Sequence, residues 1–161
     1  MQEKMSQNEI INQVKLFDEE MKSLILSTSD SNGDPLTSFS PFVKLHEDYF
    51  ICISSNLPHF NNIVLREKAH VMLIEDESKA SNIYARKRLY FQTICSVVDN
   101  SEKIFSLFDT RYEGSLSFLR QMPDFKTIKL TPLEKNLVLG FGSAYIISKD
   151  GQLLNKNIQH K

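Results

Sequence analysis

Tryptophan is absent from this 161-residue chain, cysteine occurs twice, and glycine and proline contribute five residues each. So little glycine and proline excludes a collagenous or low-complexity chain. Two cysteines cannot build the disulfide framework of a small secreted domain, and Cys52 and Cys95 lack the spacing of a metal knuckle. Both lie in strand-like runs and read as buried, reduced thiols of a cytoplasmic protein. An excess of charge is also missing. The formal net charge of -1 gives no long-range field to attract nucleic acid or an anionic membrane, so neither is expected as a partner. No apolar run approaches the ~20 residues of a membrane helix, and the polar start MQEKMSQNEI has no apolar signal core. No glycine-rich phosphate loop follows a strand. No Ser-His-Asp or Cys-His arrangement, and no paired carboxylates, are readable.

What remains is an ordinary globular composition, 41% hydrophobic and 24% charged, expected to fold as one domain over residues 1–161. Ser6 to Ser23 has the pattern of a helix. Ser6 and Glu9 form a capping-box pair, and Ile10, Val14, Phe17 and Met21 recur on one face. Leu24 to Val43 reads as strand, turn, strand around Asp30-Ser31-Asn32-Gly33-Asp34-Pro35. Strands are expected at Tyr49–Ser54, Ala69–Glu75, Tyr84–Val98, Phe125–Leu130, Leu133–Leu139 and Ser143–Ser148. Helices are expected from Pro58 to about Lys68, over Asn100–Tyr112, and briefly over Ser115–Gln121. Gly140-Phe141-Gly142 reads as a bend or bulge, and residues 150–161 as a polar tail. Six or seven antiparallel strands with inserted helices give a mainly β fold, a small closed barrel with peripheral helices.

Three segments could carry chemistry. Ser54-Ser55-Asn56 runs through Pro58 and His59 into a helix start, where backbone N–H groups and the helix dipole favour an anion. The same segment also reads as a capped helix with no ligand. Arg86 and Arg88 are two apart, so on a strand both point to one face, able to hold carboxylates or a phosphate. Alternatively they are solvated, or pair with Glu75, Asp76 and Glu77. His160, one residue from the end, is either a ligand or part of the tail. His46 and His70 lack metal-spaced partners and read as structural. Phe39, Phe42, Tyr49, Phe50, Tyr90 and Phe91 read as mainly core, with one or two free to flank a flat ligand.

These segments carry a family resemblance. Leu26-x-Thr28-x-Asp30-x-x-Gly33-x-Pro35-x-x-Ser38-x-x-Pro41-Phe42 resembles the opening hairpin of the pyridoxamine 5'-phosphate oxidase-like superfamily of FMN-binding split β-barrels. Glu77-x-Lys79-Ala80 with Ala85-Arg86-x-Arg88-Leu89, and Gly140-Phe141-Gly142-x-Ala144-Tyr145, are similar to its heme-utilization branch. The resemblance implies an antiparallel split barrel acting as a homodimer. It further implies a heme oxygenase that releases iron from heme with dioxygen and an external electron donor. His160 would then ligate the heme iron, and Arg86 and Arg88 would hold the propionates. The alternative is an FMN oxidoreductase. There Ser54, Ser55, Asn56 and His59 would take the phosphate, and the backbone at Thr37 and Ser38 would face the ring edge. His59-Phe60 stands where flavin-binding members usually carry Arg-Lys or His-Lys. The third possibility is a heme or flavin binder without turnover.

Overall fold

A computed structural model of the chain describes residues 5–156. Helix α1 (Gln7–Glu20) opens with the expected capping box: the Ser6 hydroxyl accepts from Glu9 N at 3.3 Å, and the Glu9 carboxylate accepts from Ser6 N at 2.7 Å. Its Ile10, Val14 and Phe17 are buried. Strands β1 (Ser23–Ser29) and β2 (Pro35–Pro41) form the first hairpin. Asp30 shapes the turn, its carboxylate accepting from Asn32 N at 2.8 Å and Asp34 N at 2.9 Å. Gly33, at φ +89°, supplies the left-handed residue. There follow β3 (Val43–Leu45), β4 (Asp48–Ser54), α2 (Pro58–Arg66), β5 (Lys68–Ile74), β6 (Arg88–Val98), α3 (Glu102–Arg111), β7 (Phe125–Gly140), β8 (Ser143–Ile147) and β9 (Leu153–Lys156).

Four of these differ from expectation. Helix α1 stops at Glu20 and Ser23 already belongs to β1, because Leu24 and Leu26 alternate into the core. Strand β6 begins at Arg88 rather than Tyr84; Ile83–Ala85 form a short 3-10 turn capped by the Asn82 side chain. The two strands expected on either side of Pro132 are one sixteen-residue strand, β7. Pro132 pairs with Thr93 of β6, and directly after it Leu133 and Glu134 of β7 bulge against the single Gln92, so the missing N–H falls beside an irregular step of the ladder. Part of the expected polar tail is strand β9, paired with β8.

All nine strands join one antiparallel sheet, with the path β2-β1-β5-β6-β7-β4-β3 and β8 and β9 branching from β7. The expected closed barrel is therefore open: β2 lies against β4 without a ladder between them. Strand β4 is buried on both faces. Tyr49, Ile51 and Ile53 enter the barrel core with Leu24, Leu26, Val71, Leu73, Leu89 and Phe91. Phe50 and Cys52 face a second cluster built on Ile104, Phe105 and Phe108 of α3. Both thiols are buried, and burial pushes Cys52 up to about 11.

A polar network closes one mouth of the barrel. The Tyr49 hydroxyl donates to the buried Asp18 carboxylate, which Lys44 also contacts at 2.8 Å. Lys135 is only 3% exposed, lies over the rings of Tyr49 and Phe91, and reaches Glu47 at 3.4 Å. Arg111 ties this region to α3 by donating to the carbonyls of Asp18 and Met21 at the end of α1.

Candidate functional site

In β1, β5 and β6 alternate residues point away from the core, and the ladder aligns them in rows across the strands. Ile25 pairs with Phe39 on one side and Met72 on the other, and Met72 pairs with Tyr90. This places Phe39, Ile25, Met72 and Tyr90 abreast on the outer face. Phe39 is 73% exposed, and Ile25, Met72 and Tyr90 are half-buried. Two residues further toward the end of the sheet, Ser23 pairs with Pro41, and Arg88 pairs with Ile74 on one side and Val138 of β7 on the other. The result is an apolar platform with a guanidinium at its margin. Of the six aromatics expected to be mainly core, Phe39 and Tyr90 are the two left outside; Phe42, Tyr49, Phe50 and Phe91 are buried.

The two arginines do not share a strand face. Arg86 precedes β6, and its guanidinium is spent on the loop: Nε and Nη2 donate to the Glu75 carbonyl at 3.0 and 2.5 Å, and Nη1 meets the Glu77 carboxylate at 3.0 Å. Arg88 begins β6, and its Nη1 donates to the Arg86 carbonyl at 3.0 Å. Arg88 forms no ion pair among the described residues. Its charge thus stays available to a ligand, while Arg86 pins the β5–β6 connection that presents it.

The segment Ser54 to His59 is built differently. Ser54 donates to the Asp124 carboxylate at 2.6 Å, the Asn56 amide reaches the same oxygen at 3.5 Å, and Ser55 N donates to the Asp124 carbonyl at 2.8 Å. Asn56 N also donates to the Ser54 hydroxyl at 3.2 Å. An acidic group thus already engages the hydroxyl and amide expected to receive a phosphate. Helix α2 starts with Leu57 at the cap and Pro58 behind it, with no side-chain cap. His59 is only 9% exposed, and burial holds its imidazole below the usual range, so it is neutral near pH 7. Thr37 and Ser38 lie on β2, an edge of the sheet; Thr37 is exposed, and the Ser38 hydroxyl is buried without a partner among the described residues.

The two groups pair with opposite ends of β7. Ser54 pairs with Phe125 and Arg88 with Val138, thirteen positions further along β7 (125 to 138), about 43 Å of strand contour at ~3.3 Å per residue. His160 lies outside the described residues, which end at Lys156, paired with Tyr145 of β8.

The platform was not singled out in the sequence, although β5 carries a hint of it. Val71 and Leu73 face the core while Met72 and Ile74 on the other parity are also apolar, as in a strand covered on both faces. His70, expected to be structural, stands half-buried on the outer face against Tyr90, with ring centroids 5.8 Å apart. No cluster of three or more His, Cys, Asp or Glu side chains suited to a metal ion occurs among the described residues, and no helix there is long and apolar enough to cross a membrane.

No family model matches the chain. It is 35% identical over 142 residues to the heme oxygenase HutZ of Vibrio cholerae, covering 86% of this chain and 81% of that protein. The crystal structure of HutZ, described there as a heme storage protein, superposes with a TM-score of 0.72 over 76% of this chain and 89% of HutZ. Campylobacter jejuni ChuZ, 29% identical, superposes with a TM-score of 0.88 over 99% of this chain and 68% of ChuZ. A Listeria innocua structure named for pyridoxamine 5'-phosphate oxidase shares the fold at 11% identity, with a TM-score of 0.63 over 79% of this chain and 96% of that one.

Proposed function

The chain belongs to the heme-utilization branch of the pyridoxamine 5'-phosphate oxidase-like split-barrel superfamily, and on that footing we propose that it binds heme at a site shared by two copies of itself and degrades it to release iron, using dioxygen and an external reductant. The observation that carries this reading is the apolar platform of Phe39, Ile25, Met72 and Tyr90 with Arg88 at its margin. A porphyrin needs a broad apolar surface for its ring and a cation for its propionates, and this face offers both. Arg88 holds a propionate. Arg86 assists from behind by fixing the loop. Bound heme supplies the dioxygen chemistry; the chain holds, orients and shields it.

His160 is the proposed iron ligand. It lies four residues past Lys156, a reach of at most ~14 Å. Arg88 stands three strand spacings from Lys156, across β7 and β8, which is also ~14 Å. The reach is therefore sufficient for that end of the sheet. The second copy is what membership of this superfamily implies, since its ligand sites are built from two subunits. The flavin alternative fits less well, because a phosphate near Ser54 and Asn56 would meet the Asp124 carboxylate, with only a neutral His59 in place of a cationic clamp.

Absorption titration with hemin tests the proposal. A saturable Soret band is expected at one heme per subunit, shifted or lost in His160→Ala and weakened in Arg88→Ala. Adding ascorbate in air then separates oxygenase from storage: bleaching of the Soret band with release of iron is expected, whereas a persistent band would leave a binder without turnover. No saturable Soret change, with flavin in the protein as isolated, would overturn the heme reading.

A further inference from the structure

Beside the platform, where α2 hands over to β5, the outer face opens into a cleft of about 810 Å³. We propose that this cleft is a second binding site, adjoining the heme face, for an amphipathic organic anion with an oxyanion head and an apolar body.

The floor of the cleft is polar and ordered. Ser27 of β1 pairs with His70 of β5, which pairs with Gln92 of β6. Three hydrogen-bonding side chains therefore stand abreast at the ~4.8 Å strand spacing, so two neighbours can share one carboxylate or phosphate group. Lys68, one outward position along β5, is exposed and makes no ion pair among the described residues. Arg66 adds charge from the end of α2 while its guanidinium holds the β1–β2 turn by donating to the carbonyls of Asp30 and Ser31. The wall is apolar and open: Leu65 is 55%, Ile94 45% and Leu133 39% exposed. Among the described residues no carboxylate lines the cleft.

A neighbouring cleft differs in its charge. This second cleft, of about 640 Å³ beside Arg86, takes in Ile25, Met72 and Ile74 of the platform and carries charges of both signs, Glu20, Asp76 and Glu77 with Lys22 and Lys79. In the Lys68–His70 cleft every charge is positive, and the hydroxyl, amide and imidazole can each donate. Burial keeps the His70 imidazole below its usual range, so near pH 7 it offers one N–H as a neutral donor. The volume suits a small organic molecule rather than a bare ion, and the three aliphatic side chains give its body a surface to cover.

The test uses the full-length protein and 8-anilinonaphthalene-1-sulfonate, an aromatic sulfonate whose fluorescence rises on binding. Saturable binding is expected, weakened at least tenfold by Lys68→Glu and by Leu133→Asp, and unchanged by Arg88→Ala. Laurate should displace the dye and inorganic phosphate should not, which separates an amphipathic carboxylate from a free oxyanion. Saturating hemin should leave the dye bound. If Lys68→Glu and Leu133→Asp, with native circular dichroism, bind the dye as the parent does, or if hemin displaces all of it, the second site does not exist. If phosphate alone displaces the dye, the apolar half of the proposal falls.

Discussion

The Arg88 end of the sheet and the start of α2 look equally suited to an anion in the sequence, and the structure makes them opposites. At the first, one arginine is spent on a backbone carbonyl and a carboxylate so that its neighbour keeps its charge at the edge of an apolar face. At the second, the small polar residues are satisfied by Asp124, and the only ionisable group of the expected set is buried and neutral. The same residue types thus form a ligand edge in one place and a structural joint in the other. What decides between them is whether the chain itself supplies the counter-charge.

The comparison would break most sharply at Arg88. Reversing its charge with Arg88→Glu should weaken hemin binding by roughly two orders of magnitude, since a charge-assisted hydrogen bond of about 1.5–3 kcal/mol is lost and repulsion is added. Ser54→Ala, at the other region, should leave hemin affinity within about twofold in the same Soret titration. Comparable losses in both variants would mean that the two regions are not functionally distinct.

Arg86→Ala sharpens the division of labour between the arginines. Its guanidinium is largely sheltered and serves the Glu75 carbonyl, while its pairing with the exposed Glu77 adds little in water. Removing it should cost about 1–2 kcal/mol of stability in urea unfolding, and weaken hemin only through a looser Arg88. Arg86→Ala that binds hemin as poorly as Arg88→Glu while keeping full stability would make Arg86 a direct ligand instead.

How much of this could be read beforehand follows local physics. The capping box at Ser6 and the Asp30–Pro35 turn were legible because a few neighbouring residues settle them. The unity of β7 was not, because Pro132 reads locally as a break, yet the strand runs on through it with a bulge at Leu133–Glu134 against β6. Arg86 was placed on a strand because Tyr84 to Val98 alternates, yet the Asn82 cap turns the chain before β6 begins. Asp124 is seventy residues from Ser54, and Lys135 meets Glu47 across eighty-eight, so neither pairing leaves a local signal. The outer platform exists only as a register among four strands.

Asp124→Asn asks whether the joint near α2 could become an anion site. Removing the carboxylate charge while keeping a hydrogen-bond acceptor should raise affinity for FMN by a few-fold at most, because no cationic clamp appears in its place. Equilibrium dialysis with FMN measures this. Tight flavin binding by Asp124→Asn would mean that the carboxylate alone had been excluding the cofactor.

The smallest effect expected is a pH dependence that belongs to the α2 side. Burial lowers the folded-state value for His59, so the folded chain resists a proton that the unfolded chain accepts below ~6.5. Protons bound by the unfolded state then exceed those bound by the folded state, and stability must fall as the pH drops through that range. His70 shifts in the same direction for the same reason and adds to the slope. His59→Gln should flatten part of the dependence, seen as a smaller change in urea midpoint between pH 7.5 and 5.5 than in the parent, with the midpoint at pH 7.5 changed in either direction by repacking. An unaltered slope would show that His59 is accessible to water and protonates freely in the folded chain. The imidazole could then serve as an anion-binding cation at mildly acidic pH, and the contrast between the two ends of β7 would hold only above it.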